Sequence, residues 1–144
     1  MVKHYSLTFG QKAANALFSY MTRMGWGASY RWILSVPGRT SGAMRSTPVD
    51  VMDIDGERWL VAPYCETNWV RNVRVHPRLT LRRGSNSQEM VATAATGAAV
   101  LPVIRQYLRL VPITADYWGV TVNSTDAEIQ AESLTHPVFR LQSV

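Results

Sequence analysis

The chain has 144 residues, a size suited to one domain, with 47% hydrophobic and 17% charged residues, which excludes a disordered chain. Its formal net charge is +5, and thirteen of the 15 basic residues are arginine, a side chain that grips phosphate and carboxylate through a planar fork. The single cysteine, Cys65, excludes an internal disulfide framework and a cysteine zinc site, and no run approaches the roughly 20 apolar residues of a membrane span.

In chain order, residues 11 to 24 carry Leu17, Tyr20, Met21 and Met24 at helical spacing, and Gly25 and Gly27 end the helix. This basic, amphipathic segment predicts an N-terminal helical extension over residues 1–29 that packs on the domain or makes a peripheral membrane contact. Tyr30 to Val36 reads as a strand, and Pro37 to Met44 as a tight polar loop. Thr47 to Ile54 alternates like a half-buried strand, Asp55-Gly56 signals a hairpin, and Arg58 to Pro63 returns. Thr67 to Val75 reads as a helix with Thr67 or Asn68 as N-cap, closed by Pro77. Leu79 to Arg83 and Gln88 to Thr96 pair around Gly84-Ser85-Asn86. Leu101 to Leu110 is helical, Thr125-x-x-Glu128 is a capping box, and Pro137 to Gln142 is a closing strand. Strands joined by hairpins predict an antiparallel sheet or barrel with peripheral helices. No GxGxxG or GxxxxGK[ST] motif is present, which counts against Rossmann and P-loop nucleotide binding.

Three groups of residues can carry chemistry. Gly38 to Arg45 packs two glycines, two hydroxyls and two arginines into one loop, as an anion site requires, although a basic exposed turn has the same composition. No carboxylate precedes Asp50, whereas Lys3, Lys12, Arg23, Arg31, Arg39 and Arg45 all do. Ala62 to Asn72 runs from a strand end into a helix N-terminus, a frequent ligand position, and Trp69 and Asn72 share a helix face. Tyr107, Tyr117 and Trp118 form an aromatic group that lines a hydrophobic pocket or simply packs. His4, His76 and His136 lack metal-ligand spacing, so no metal is expected, and no histidine lies near Ser41 or Ser46 to activate it. Any enzyme built on this set needs a cofactor for hard chemistry.

Together, GRTSGAMRSTPVDV, DGERWLVAPYCETNWVRNVRVHP and HPVFRL resemble the deazaflavin-dependent nitroreductase family of actinobacteria, over roughly residues 30 to 142. The resemblance implies a split β-barrel like that of the flavin-mononucleotide-binding oxidoreductases. It also implies the deazaflavin coenzyme F-420, whose tail carries a phosphate and glutamates. By position, Arg39, Thr40, Ser41, Gly42 and Arg45 would hold the phosphate and the start of the tail. Pro48 and Val49 would lie beside the ring system, and Val61, Ala62, Pro63 and Tyr64 would run along its edge with main-chain donors. Asn68, Trp69 and Asn72 would complete the pocket, and Tyr107 and Tyr117 would touch the substrate. Many members carry lysine where this chain has Thr40, so one tail contact changes from a charge to a hydroxyl.

The expectation is thus a cytoplasmic reductase that passes a hydride from reduced coenzyme F-420 to a small, hydrophobic, electron-poor acceptor such as an enone, quinone or nitro compound. Two alternatives stand beside it. One is an oxidoreductase using flavin mononucleotide (FMN) on the same barrel. The other is a nucleic-acid-binding small barrel, which explains the charge but not the apolar 61–70 segment.

Overall fold

The structure is a computed structural model that describes residues 28–144. The N-terminal helix expected over 11–24, most of the 1–29 extension and the membrane contact assigned to it lie outside the described residues. Six antiparallel strands close into a barrel in the order β1-β2-β3-β6-β5-β4. They are β1 (Arg31–Pro37), β2 (Met44–Ile54), β3 (Glu57–Val61), β4 (Arg78–Arg83), β5 (Asn86–Ala95) and β6 (Val138–Ser143). Three α-helices accompany them: α1 (Asn68–Val75), α2 (Val100–Leu110) and α3 (Asp126–Glu132).

Alternation along the strands builds the barrel interior. Trp32, Leu34 and Val36 of β1 meet Val49 and Val51 of β2, Leu60 of β3, Leu79 and Leu81 of β4, Met90 and Ala92 of β5, and Phe139 and Leu141 of β6. Each such buried side chain contributes about 1.5–3 kcal/mol of transfer free energy. The outer faces of β2, β3 and β6 are buried as well. Met52, Trp59, Val61 and Val138 pack beneath Val103, Ile104 and Tyr107 of α2 and Ile129 of α3. Burial on both faces explains why Trp59-Leu60-Val61-Ala62 reads as an unbroken apolar run rather than an alternating one.

The hairpins follow their turn residues. Asp55 (φ 51°) and Gly56 (φ 81°) both take left-handed backbone between β2 and β3, as a type I′ connection demands. Thr125 and Glu128 form the expected capping box at α3: the Thr125 hydroxyl accepts from the Glu128 amide, and the Glu128 carboxylate accepts from the Thr125 amide. Those bonds hold the Glu128 carboxyl below its usual range. Several boundaries differ from expectation. β2 begins at Met44 rather than Thr47, because Met44, Arg45 and Ser46 pair with Pro37, Val36 and Ser35. β3 ends at Val61 rather than Pro63, since proline lacks the amide to continue a ladder. Two 3-10 segments, Gly97–Ala99 and Pro112–Tyr117, flank α2 and carry no periodic signal long enough to read.

Candidate active site

The candidate site lies at the barrel end where β1 finishes, β2 begins and β3 gives way to α1. Val70 and Val73 of α1 join the interior cluster and Trp69 packs against it, so α1 plugs this end. The loop between β1 and β2 folds over the helix. Its closure uses Gly38, whose amide donates to the Ala43 carbonyl (2.8 Å), and Gly42, whose amide returns to the Gly38 carbonyl (2.9 Å) from a φ of +73°. A Cβ at Gly38 would stand 3.2 Å from Ser41 Oγ and 3.3 Å from the Ala43 oxygen, so a side chain there would require these neighbours to give way by a few tenths of an ångström.

Arg39 ties this loop to α1. Asn72 Oδ1 accepts from the Arg39 amide (3.0 Å) and from its guanidinium (2.9 Å), and Asn68 Oδ1 accepts a longer contact (3.4 Å). Asn72 is buried, so its carbonyl oxygen is an internal anchor for the loop. Among the described residues, nothing accepts from the amides of Thr40 and Ser41, and nothing pairs with the exposed guanidiniums of Arg45 on β2 and Arg71 on α1. Unengaged amides and unpaired guanidiniums are a set of donors of the kind an anion takes. Arg71 completes this set; the sequence reading passed over it because a lone arginine on a short helix has no signal of its own.

The remaining expected cofactor residues divide by orientation. Pro48 is half-buried on the outer face of β2, whereas Val49 turns into the barrel interior. Val61 packs beneath α2, and Ala62 is buried with its amide donating to the Pro137 carbonyl (2.9 Å). The side chains of Val49, Val61 and Ala62 therefore face protein, and the Ala62 donor is already engaged. Pro63 is buried, and half-buried Tyr64 follows it at the rim. Trp69 is half-buried with its ring 6.2 Å from Phe139, so it serves the barrel plug. Thr67 occupies the N-cap position of α1 without a side-chain cap bond, and its Oγ1 is buried without a partner.

The two tyrosines expected at the substrate part company. Tyr117 is half-buried, and its ring meets Tyr64 edge to face with centroids 4.8 Å apart. Tyr107 is fully enclosed, and its hydroxyl donates to the buried Asp50 Oδ2 (2.7 Å), while Arg31 Nε donates to Asp50 Oδ1 (2.8 Å). A side chain with no exposed surface lines no open pocket, so Tyr107 belongs to the core between α2 and β2 rather than to a substrate wall. Burial, with the Asp50 carboxylate second, pushes its phenol well above the usual range.

A second constellation was not legible in the sequence. His136, just before β6, is buried and stacks on Trp118 with ring centroids 4.2 Å apart. Its Nε2 lies 2.8 Å from the Tyr117 carbonyl and 3.8 Å from Cys65 Sγ. Its Nδ1 lies 3.2 Å from Thr135 Oγ1 and 3.4 Å from Glu132 Oε1. Glu132 Oε1 also accepts from the Gly119 amide (2.7 Å). Cys65 takes a left-handed φ of 65°, and burial, then the Glu132 and Glu66 carboxylates, push its thiol up. These residues lie up to 71 positions apart in the chain, and only the closed barrel brings them together.

Among the described residues, no group of three or more histidine, cysteine or acidic side chains is placed to hold a metal ion, and no helix is long and apolar enough to cross a membrane. The donor set that is present fits a phosphate-bearing, multiply acidic cofactor: unengaged amides, unpaired guanidiniums and no carboxylate within the loop.

Comparison with known proteins agrees with this geometry. No curated protein matches the chain. Among solved structures, one described as an F420-H2 dependent reductase is 18% identical, with a TM-score of 0.59 over 79% of this chain and 95% of its own. One described as a domain-swapped dimer is 17% identical, with a TM-score of 0.60 over 93% and 97%. A FAD-binding protein from Mesorhizobium loti is 14% identical, with a TM-score of 0.51 over 90% and 89%. At these identities the likeness shows a common fold, the flavin-binding split barrel. The family model for F420H2-dependent quinone reductases matches residues 20–131. The chain thus belongs to the F420H2-dependent quinone reductase family and is a coenzyme F-420-dependent oxidoreductase.

Proposed function

We propose that the barrel end closed by α1 binds coenzyme F-420 with its anionic tail on the Gly38–Arg45 loop and that a small hydrophobic, electron-poor acceptor is held at the Tyr64–Tyr117 rim. The observation that carries this reading is the Arg39 clamp. By bonding Asn72 and Asn68, Arg39 holds the loop against α1, the helix that carries Arg71, and leaves the Thr40 and Ser41 amides without an acceptor of their own. Fixed donors bind an anion without the ordering cost that mobile side chains incur.

Within this reading each residue has a physical task. Thr40, Ser41, Arg45 and Arg71 hold phosphate and glutamyl oxygens, and Gly42 closes the turn that presents them. Arg39 holds the loop and offers what remains of its guanidinium. Pro48, Pro63 and the main chain at Val49, Val61 and Ala62 form the rigid floor, because the side chains behind them are packed in core. Asn68 sits exposed at the start of α1, where it borders the tail, and Trp69 and Asn72 support from below. When bound, the reduced deazaflavin supplies a hydride to the acceptor. The protein orients the two and keeps water from between them. An edge-to-face tyrosine pair offers a flat apolar contact suited to an enone, a quinone or a nitroarene.

The deciding experiment is a fluorescence titration of purified protein with oxidised coenzyme F-420 and, in parallel, with FMN. Preferential binding of coenzyme F-420, lost on raising salt, is expected. Equal or tighter binding of FMN overturns the placement of the glutamyl tail on this loop.

A further inference from the structure

We propose that His136 is a positioning residue: through its bond to the Tyr117 carbonyl, it fixes Tyr117 against Tyr64 and so shapes the acceptor contact. This rests on the reading of the Tyr64–Tyr117 rim as the acceptor side of the site. His136 sits where four pieces of chain converge. These are the segment after β3 that carries Tyr64 and Cys65, the 3-10 segment ending at Tyr117, the C-terminal end of α3, and the approach to β6.

The bonding pattern assigns its direction of action. A main-chain carbonyl only accepts, so at 2.8 Å the Nε2–H must donate to the Tyr117 oxygen. That leaves no Nε2 lone pair for Cys65 at 3.8 Å, so His136 is not a base for the thiol. On the other side of the ring, Glu132 Oε1 and Thr135 Oγ1 face Nδ1, and the same Glu132 oxygen takes the Gly119 amide. Glu132 therefore bonds the chain just beyond Tyr117, and its carboxylate stands 3.4 Å from the imidazole Nδ1. The Trp118 indole, stacked on the imidazole, closes the ring of contacts. The main chain at Tyr117 is thus held from both sides, and the ring that meets Tyr64 edge to face is carried on this held segment.

The barrel does not need this arrangement for its own closure. The strands pair through their ladders, and α2 and α3 are seated by Val103, Ile104, Tyr107 and Ile129. A buried imidazole with a carboxylate behind it is a costly way to fill space; its bond ends on Tyr117, and its ring lies against Cys65, the neighbour of Tyr64.

The test compares His136→Gln with His136→Leu. Glutamine keeps an N–H able to reach the Tyr117 carbonyl, whereas leucine keeps volume but no donor. With the full chain, coenzyme F-420 affinity is measured by fluorescence, and the acceptor KM and kcat by steady-state reduction of a small quinone. His136→Leu is expected to raise the acceptor KM about tenfold, the effect of losing one buried hydrogen bond, with kcat and coenzyme affinity little changed. His136→Gln is expected to restore most of the loss. The activity-independent readout is the rate of Cys65 alkylation by iodoacetamide, since Sγ lies against the same imidazole. It should rise in the leucine variant and return in the glutamine variant.

An unchanged KM in His136→Leu overturns the proposal. So does a loss of KM, kcat and coenzyme affinity together that glutamine does not rescue. If wild-type protein neither binds coenzyme F-420 nor reduces the quinone, the functional reading fails on its own. The clamp is then judged by the alkylation rates: a rise with leucine, reversed by glutamine, retains it as a restraint on the rim, and equal rates in all three proteins overturn it.

Discussion

Asn72 Oδ1 accepts two hydrogen bonds from one residue, the amide and the guanidinium of Arg39. One buried oxygen thus sets both the path of the loop and the direction of its first arginine. Asn72→Ala removes the acceptor from both donors, and each such bond contributes about 0.5–1.5 kcal/mol net because exposed Arg39 regains water. The variant should melt at lower temperature and bind coenzyme F-420 more weakly. Arg39→Lys should also lose affinity while keeping its charge, because an ammonium cannot span Asn72 and Asn68 as the fork does. Calorimetry beside a binding titration checks both. Full coenzyme affinity in Asn72→Ala would separate the loop from the cofactor.

Arg45 and Arg71 give the complementary case. Both are exposed and bond to nothing else among the described residues. Arg45→Ala and Arg71→Ala should leave the melting temperature unchanged. Each should weaken coenzyme binding by about 1.5–3 kcal/mol, the range for a hydrogen bond to a charged group. The loss should shrink as salt rises, because exposed charges are screened over about 10 Å at 0.1 M ionic strength. Normal binding by both variants would move the tail elsewhere.

Tyr107→Phe should destabilise the fold by about 1–3 kcal/mol, since Asp50 loses one of its two donors inside the protein. The acceptor KM should stay at the wild-type value, because Tyr107 has no surface in the site. The raised phenol pKa also carries a pH signature. Below the ordinary tyrosine range both folded and unfolded chains keep the proton, and the stabilisation is fully present. Above about pH 10 the unfolded chain releases its proton while the folded chain retains it, so this contribution falls with rising pH until the folded group also ionises. Denaturant melts between pH 8 and 11, roughly bracketing that range, should show a steeper alkaline loss in wild type than in Tyr107→Phe.

Cys65 should be a slow thiol. It is the single cysteine, so alkylation by iodoacetamide reports on it alone. Burial and the carboxylates of Glu132 and Glu66 favour the protonated form. The thiolate is the nucleophile, so the pH profile of the alkylation rate should have its midpoint above that of an unfolded control. Glu132→Gln should move the midpoint back toward the control, and an unmoved midpoint would leave burial and Glu66 as the causes.

The sequence by itself determined the strand order in time, the hairpins and the basic loop. Those features depend on neighbours: Asp55-Gly56 prefers left-handed backbone, alternation in Thr47 to Ile54 marks a pleated strand, and Thr125-x-x-Glu128 closes its own capping box. The family resemblance rested on the same local runs, read together over roughly residues 30 to 142. Orientation was decided only by the tertiary structure. A tyrosine at helical spacing reads the same whether it meets solvent or Asp50, and Tyr107 was drawn inward because Asp50 and Arg31 pair across β1 and β2 beneath α2. Val49 and Val61 face the core because barrel closure and the helix layer bury both sides of the sheet there. Cys65, Tyr117, Glu132 and His136 meet because β3 and β6 are neighbours in the closed barrel although 76 residues separate Val61 from Val138. Contacts of that range leave no periodic trace in the sequence, since loop closure rather than residue spacing brings their partners together.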